Sequence, residues 1–185
     1  MATQGSPADD PDNASQSGGA GRFAAIDGFV KIGDFEGSAT SHGHEGWSCL
    51  RGMRLCVERT TGSFISSDKA VGSVRFESIA VLKSIDGTSP KAFKACIEGK
   101  KIPKVLVHVV NVVAGKPAVT AEIELEDVNI SGYAISDSAG CPAPSGPDAL
   151  DEVDFRCHKI KYTVNKYDEK GGSKGKVQEE YTVGS

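Results

Sequence analysis

An alternation of apolar and polar residues with a period of two runs through the chain from residue 23 onward. In VTAEIELED, residues 119–127, apolar side chains alternate with Thr and Glu. This pattern indicates a strand with one face in a core and the other in water. The preceding IPKVLVHVVNVV, residues 102–113, is apolar at both alternations, which indicates a strand covered on two sides. AGKP between them is typical of a hairpin connection.

Several further stretches have the character of strands, with turn or bulge residues at their ends or inside them. FVKI, residues 29–32, ends at the turn signal Gly33-Asp34. Gly52 marks a bulge inside the stretch at residues 47–59. These strands are FVKI, WSCLRGMRLCVER (47–59), VRFESIAVLKSI (74–85), VNISGYAIS (128–136), VDFRCHKIKYTV (153–164) and KVQEEYTV (176–183). The turn-rich KYDEKGGSKG, residues 166–175, joins the last two. Because antiparallel sheets hide their edges by closing or by pairing with another chain, the pattern predicts a closed or nearly closed β-barrel.

One helix is predicted at about residues 89–98 of this β-rich chain. Ser89 is the expected N-cap, Pro90 the first helical residue, and Gly99 the residue just past the end. One face of the helix is apolar and is expected to pack on the sheet. That face consists of Ala92, Phe93, Cys96 and Ile97.

The ends and loops of the chain have a different composition from its body. Residues 1–22 contain no large apolar side chain after Met1, so they cannot bury enough surface to offset their ordering entropy. We expect a disordered tail at residues 1–22 and a single domain at residues 23–185. Three prolines and two glycines in residues 136–148 predict a loop there.

Charge and composition exclude several classes of protein. The 185 residues carry a net charge of −4, so no nucleic-acid partner is indicated. No apolar run is long enough to cross a bilayer, and no secretory signal peptide is visible at the N-terminus. The chain is therefore expected to fold in the cytoplasm. Its five cysteines are odd in number and scattered, which favours small buried side chains over a disulfide framework or a zinc site.

Histidines and nearby acids in FVKIGDFEGSATSHGHEGW, residues 29–47, raise the question of a metal or catalytic site. On a strand, His42 and His44 would share a face, but zinc needs three or four protein ligands and the sequence supplies no third. The flanking glycines suggest a turn instead. His108 lies inside an apolar strand and His158 on a lysine-rich one, and the chain lacks a nucleophile elbow and a phosphate-binding loop. No cofactor and no catalytic residue are predicted.

Two long segments resemble the Hcp (haemolysin-coregulated protein) family of bacterial type VI secretion systems. The first is FVKIGDFEG followed by HGHEGW, and the second is VRFESIAVLKSIDGTSPKAFKACIEGKKIPKVLVHV. The resemblance extends over about residues 28–183. The matching positions are Asp86, Thr88, Ser89, Pro90, Cys96 and Gly99 around the helix, and Phe155 and Tyr162 near the end of the chain.

The resemblance implies a fold and a function. The fold is mainly β, a β-barrel of two antiparallel sheets with one short flanking α-helix. The subunits form hexameric rings that stack into a tube, without catalytic activity, and effectors can travel in the lumen. The implied partners are other copies of the chain and the sheath, spike and effector proteins of the secretion system. Such a chain is cytoplasmic before assembly and is secreted through the type VI system without a signal peptide.

Two groups of residues are expected to have structural roles, the first from the pattern of the helix and the second from the resemblance. The helix is expected to be anchored by Ser89, Pro90, Phe93 and Ile97. A polar segment around Phe64 and Ile65 is expected to contact the next ring along the tube. That segment consists of Gly62, Ser63, Phe64, Ile65, Ser66, Ser67, Asp68, Lys69, Ala70, Val71 and Gly72.

Two alternatives from other classes stay open at this point. One is a small metal-dependent β-barrel enzyme that uses His42 and His44. The other is a monomeric β binding module. Metal analysis distinguishes the first from a tube protein, and the mass of the particle in solution distinguishes the second.

Overall fold

The structure is a computed structural model that describes residues 23–59, 74–136 and 149–183. These ranges contain eight strands and a helix. The elements are β1 (Ala24–Ile32), β2 (Ser48–Arg59), β3 (Val74–Ser84), α1 (Ser89–Glu98), β4 (Lys101–Val113), β5 (Lys116–Ser136), β6 (Leu150–Arg156), β7 (Lys159–Tyr167) and β8 (Ser173–Thr182). Among the described residues, no helix has the length and apolar character that crossing a bilayer requires.

Six strands close into a ring, and two more extend from it. The order β4-β1-β2-β3-β6-β5 returns to β4 through the β4–β5 pairing, and all of these pairings are antiparallel. β7 pairs with β5 outside this ring, and β8 pairs with β7. The predicted β-barrel with a flanking helix is confirmed, and hydrogen bonds join its two sides into one continuous sheet. We call β7 and β8 together the ribbon.

The long strand β5 belongs to both parts of the sheet. Its first half pairs with β4 on one side and, over residues 121–126, with β7 on the other. Its second half, from Asn129, pairs with β6. The two halves meet at Asp127, whose φ of 51° is in the left-handed region. The first half of β5 therefore belongs to the barrel and to the ribbon, whereas its second half belongs to the barrel alone.

The core fills the barrel with side chains from alternate positions of the strands. Val105 and Val107 on β4 face Leu125 and Ile123 on β5, and each is at most 1% exposed. Phe155 on β6 is fully buried beside them. Burial of one such side chain contributes about 1.5–3 kcal/mol, so this alternation is the main source of stability.

Most of the predicted strand positions are confirmed, but β1 begins earlier, at Ala24, and the stretches 119–127 and 128–136 belong to the single strand β5. Asp154 and Phe155 belong to β6 and Ile160 to β7, because the predicted strand at residues 153–164 breaks at Cys157 and His158. β4 is not covered on both sides, since Asn111 and Val112 near its end are exposed. The β4–β5 hairpin, the turn after β1 and the irregular register at Gly52 are confirmed.

The helix lies where the sequence predicts it, but its buried face differs from the prediction. Thr88, not Ser89, is the N-cap, and Gly99 ends the helix with a φ of 62°, a conformation that suits glycine. Ala92 and Ala95 are the apolar side chains buried beneath the helix. Small side chains let the helix axis approach the barrel closely, so the larger side chains beside them point outward.

Phe93 and Ile97 are therefore not buried anchors, and the prediction that they pack the helix on the sheet is wrong. Their exposed fractions are 52% and 70%. Phe93 keeps one contact with the barrel, an edge-to-face packing on Tyr133 at 5.7 Å between ring centres. Of the four predicted anchors, Ser89 is buried and Pro90 is exposed at the start of the helix.

Candidate assembly surface

The ribbon continues the inner face of the barrel beyond the barrel wall. Tyr162 on β7 is the register partner of Ile123 on β5, and Ile160 is the partner of Leu125. Residues opposite each other on antiparallel strands point to the same side of a sheet. Ile123 and Leu125 point into the core, so the apolar positions of β7 point in the same direction, past the edge of the closed ring.

The described part of the chain leaves most of this apolar surface uncovered. Val164 pairs with Val177, and Ile160 pairs with Tyr181, so both strands contribute to it. Ile160 is buried, but the four other apolar side chains are between 38% and 48% exposed. We call these four residues the ribbon face: Tyr162 (46%), Val164 (38%), Val177 (48%) and Tyr181 (41%).

The last strand also leaves one of its edges without a hydrogen-bonding partner strand. Among the described residues, β8 pairs with β7 and with no other strand. A ten-residue edge strand offers backbone N–H and C=O groups to another chain. The ribbon therefore combines an uncovered apolar face with an open edge.

A buried polar cluster holds the start of the helix against the barrel. Lys83 on β3 is fully buried, and its Nζ donates hydrogen bonds to Asp151 Oδ2 at 2.7 Å and to Asp86 Oδ1 at 3.2 Å. Ser89 on the helix accepts a further bond from Nζ at 3.0 Å and donates its hydroxyl hydrogen to Asp151. Tyr133 donates to the other Asp151 oxygen at 2.7 Å. The cluster thus joins β3, β5, β6 and the helix.

The cluster extends along the loop before the helix. Asp86 Oδ1 accepts bonds from the Thr88 backbone N–H at 2.9 Å and from the Thr88 hydroxyl at 2.7 Å. Burial acts to raise the pKa of Asp86, but the hydrogen bonds from Thr88 and Ser48 outweigh it and hold this pKa below its usual value. Burial, together with the bond to Asp151, raises the pKa of the Tyr133 hydroxyl. Asp86 therefore stays ionised as a hydrogen-bond acceptor, and Tyr133 stays protonated as a donor.

His44 and His108 form a second cluster, at the turn between β1 and β2. His44 Nε2 and His108 Nδ1 are 2.8 Å apart, a hydrogen bond in which one ring donates and the other accepts. Phe29 stacks on His44 at 4.2 Å, and Trp47 packs against both imidazoles at 5.0 and 4.7 Å. Burial lowers the pKa of both histidines. The neutral pair thus ties the turn to β4.

β1 and β4 approach each other very closely beside this pair. A side chain at Gly28 would collide with the backbone oxygen of His108. His108 lies partly buried on β4 and is hydrogen-bonded to His44.

The structure does not unite His42 and His44 in a shared site. His42 is fully exposed and lies 3.6 Å from Glu45, whereas His44 is buried against His108. Within residues 23–59, 74–136 and 149–183, no group of three His, Cys, Asp or Glu side chains is arranged to hold a metal ion. Among the four cysteines described, Cys157 is the buried one, and burial raises its pKa to about 11.

Of the four ribbon-face residues, the sequence analysis names only Tyr162, as a position of the family resemblance, and it predicts an exposed apolar surface for none of them. The predicted ring-stacking segment, Gly62 to Gly72, lies outside the described residues, and so does the predicted tail at residues 1–22. The alternation Ile160, Tyr162, Val164 is visible in the sequence. It shows that one face of β7 is apolar, but it does not show whether another part of the chain covers that face.

A family model identifies the family of this chain, and solved structures share its fold. A family model described as "Type VI secretion system effector, Hcp" matches residues 29–164. A structure described as a type six secretion system protein has a TM-score of 0.74 at 19% identity, with 86% of this chain and 96% of that chain covered. No curated protein matches the chain by sequence.

Two further solved structures carry the family name. Hcp1 from Salmonella typhimurium has a TM-score of 0.64 at 19% identity and covers 86% of this chain and 95% of its own. A double variant of Hcp1 from E. coli EAEC 042 has a TM-score of 0.66 at 18% identity, with 85% and 99% covered. At these identities the likeness establishes the shared fold.

Proposed function

The chain belongs to the Hcp family of type VI secretion system proteins, and from this premise we propose that it is a structural subunit of the secretion tube. It assembles as hexameric rings that stack end to end. Its partners are other copies of itself and the sheath, spike and effector proteins of the system. It is cytoplasmic before assembly and leaves the cell through the type VI apparatus.

The observation that carries this proposal is the uncovered ribbon face. Two tyrosines and two valines continue the core surface outside the barrel, in a position that the described part of the chain does not cover. Full burial of an apolar side chain of this size contributes about 1.5–3 kcal/mol, so covering the ribbon face is strongly favourable. Tyrosine is also enriched at the centres of protein interfaces.

The open edge of β8 supports the same proposal. β8 carries four charged residues, and charged residues on an edge strand oppose unselective pairing with other chains. They are Lys174, Lys176, Glu179 and Glu180. A specific neighbour with complementary groups can still occupy the edge. A ring covers every copy of such a surface, because a heterologous contact that closes leaves none exposed.

The particle mass of the full chain in solution tests the proposal. We expect analytical ultracentrifugation to give a particle of six subunits. The variant Val177→Ser/Tyr181→Ser removes half of the ribbon face and should sediment as a single chain. Both side chains are partly exposed, so the variant should keep a folded barrel.

A matched control lies on the opposite face of the same strand. Lys176→Ser/Gln178→Ser changes two exposed positions of β8 that pair with Asn165 and Thr163. This control should assemble like the unaltered chain. A monomeric unaltered chain at micromolar concentration would contradict the proposal, and so would a ribbon-face variant that still forms complete rings.

The stacking of rings is assigned to residues 62–72, the segment that the family resemblance singles out. Replacing Phe64 and Ile65 by Ser should keep the ring mass unchanged while reducing end-to-end stacking and secretion. Normal stacking by this variant, seen by electron microscopy, would show that the axial contact lies elsewhere.

A further inference from the structure

We propose that the ribbon face of one subunit docks on an apolar patch of the next subunit, formed by helix α1 and the end of β5. This inference rests on the proposed tube function and assigns the two halves of its ring contact. We call the second surface the helix patch and define it as Phe93, Ile97 and Ile135. Each chain then carries both halves of the interface, the ribbon face and the helix patch, at two separate places on its surface.

The helix patch consists of three exposed apolar side chains on two neighbouring elements. Phe93 packs on the ring of Tyr133, and Ile135 is the next residue on the same side of β5. The three patch residues are 52%, 70% and 66% exposed. Ala92 and Ala95 already hold the helix to the barrel, so Phe93 and Ile97 are not needed for that contact. Their exposure requires another explanation, and a partner surface supplies it.

The two surfaces are too far apart to cover each other within one chain. The ribbon is attached at residues 121–126 of β5, whereas Ile135 lies near the other end of the same strand. Ten residues separate Leu125 from Ile135, a distance on the order of 30 Å along a strand. Both surfaces are exposed in the described chain, so a second copy can bring its ribbon face against a helix patch without a rearrangement of either chain.

Charge favours this pairing over the pairing of two ribbon faces. Glu179 is the register partner of Tyr162 and lies between Val177 and Tyr181, in the middle of the ribbon face. Two ribbon faces related by a two-fold axis would bring the two Glu179 carboxylates together. Like charges in a contact that excludes water are destabilising.

The helix patch has the complementary charge along its rim. Lys91 and Lys94 are exposed on the outer side of the helix, and Lys100 follows its end. Glu98 lies 3.6 Å from Lys94 and offsets one of these charges, so the rim keeps a net positive charge. A lysine of this rim can approach Glu179 when the two apolar surfaces meet.

Two different surfaces that pair between copies make a head-to-tail contact. Such a contact propagates from chain to chain and closes into a ring when the rotation between neighbours permits. A contact between identical surfaces ends at two chains. The pairing of ribbon face and helix patch therefore supplies the kind of contact that a ring requires.

Mixing two variants of the full chain tests the pairing directly. The helix-patch variant is Phe93→Ser/Ile97→Ser, and the ribbon-face variant is Val177→Ser/Tyr181→Ser. Each lacks one half of the interface and keeps the other, so each alone should be a single chain. An equimolar mixture should form heterodimers, because the intact ribbon face of one variant meets the intact helix patch of the other. Sedimentation of each variant and of the mixture measures this.

The outcomes separate this inference from the proposed function. If the unaltered chain forms no ring, the proposed function fails. If it forms rings but the helix-patch variant also forms them, or the mixture stays monomeric, the pairing is wrong while the tube function stands. Circular dichroism of both variants excludes loss of folding as the cause.

A charge reversal tests the electrostatic part of the argument. Glu179→Lys should lower the fraction of chains in rings about tenfold or more at low salt, since it brings a cation against a basic rim. The control Glu169→Lys makes the same change in the exposed turn between β7 and β8. If the two variants assemble equally well, Glu179 does not face the helix rim.

Discussion

Ile123 and Tyr162 are direct neighbours on one face of one sheet, yet their surroundings are opposite. Ile123 on β5 is 1% exposed and belongs to the core, whereas its register partner Tyr162 on β7 is 46% exposed. Leu125 on β5 is likewise fully buried, whereas Tyr181 on β8 is 41% exposed. Ile160 on β7 lies between them and pairs with both. The apolar pattern is the same on both sides of this boundary, but the closed barrel covers only one side.

The alternation of apolar and polar residues therefore specifies which face of a strand is apolar. It does not specify whether another part of the protein covers that face. Inside the ring of six strands, the opposite wall of the barrel covers the core side chains. The ribbon lies outside that ring, so its inward face needs a surface from elsewhere. A chain with a completed core and an unfinished apolar face is suited to assembly, which is the basis of the proposed tube function.

The largest expected effect concerns Lys83, a fully buried cation. Lys83→Met leaves Asp151 and Asp86 buried without their cation, and breaking a buried ion pair by removing one partner costs about 3–5 kcal/mol. The free energy of unfolding in denaturant measures this loss. Lys94→Met, on the exposed side of the helix, is the control and should change it by less than about 0.5 kcal/mol. Equal effects would show that the cluster does not hold the helix.

The boundary itself is tested by truncating one residue on each side of it. Leu125→Ala should lower the free energy of unfolding by about 2–5 kcal/mol, because it opens a cavity in the core. Val164→Ala should cost less than about 1 kcal/mol in a single chain, since the valine is partly exposed there. Both are measured in the Phe93→Ser/Ile97→Ser background, which keeps Val177, the register partner of Val164, and in which assembly should not contribute. A similar cost for both changes would mean that the ribbon face is covered within the chain.

The sequence was sufficient for most of the strands, because each has to present a continuous apolar face to the barrel. It also located both ends of the helix within one residue, since Pro90 and Gly99 act through local backbone geometry. The hairpin at Ala114 and Gly115 was predicted for the same reason. These features depend on neighbours in the sequence.

Features that depend on distant residues could not be predicted in the same way. Lys83 follows the apolar run IAVL, and no nearby residue indicates its partner. That partner is Asp151, 68 positions later in the sequence. His44 pairs with His108, not with His42, although His42 is only two residues distant. The orientation of the helix was missed because two alanines, and not its largest side chains, face the barrel.

Two substitutions in the helix test which of its side chains face the barrel. The larger loss of stability is expected at the smaller residue, Ala92. Ala92→Leu should lower the free energy of unfolding by about 1–3 kcal/mol, because the alanine is fully buried against the barrel. Phe93→Ala in the single chain should cost about 0.5–1.5 kcal/mol, the value of its edge-to-face contact with Tyr133. A much larger loss for Phe93→Ala would place it among the buried anchors.

The smallest expected effect is a pH dependence that comes from the covered histidine pair. Burial lowers the pKa of His44 and of His108 below the usual 6.5. The unfolded chain therefore binds protons that the folded chain resists, so the pair's contribution to stability is complete above about pH 6.5. It is lost as the pH falls through 6.5 toward the lowered values. Glu45 and Glu122 lie close enough to oppose these shifts in part.

The hydrogen bond between the rings gives this pH dependence its structural meaning. One proton can be shared between His44 Nε2 and His108 Nδ1, but a second one places two N–H donors against each other. We expect the melting temperature to fall by a few degrees between about pH 7 and pH 5.5. His108→Gln should flatten this part of the curve, whereas His158→Gln, at an exposed position, should leave it unchanged. If His108→Gln keeps the full slope, the acid sensitivity comes from another part of the chain, and the turn between β1 and β2 is not held by the neutral pair.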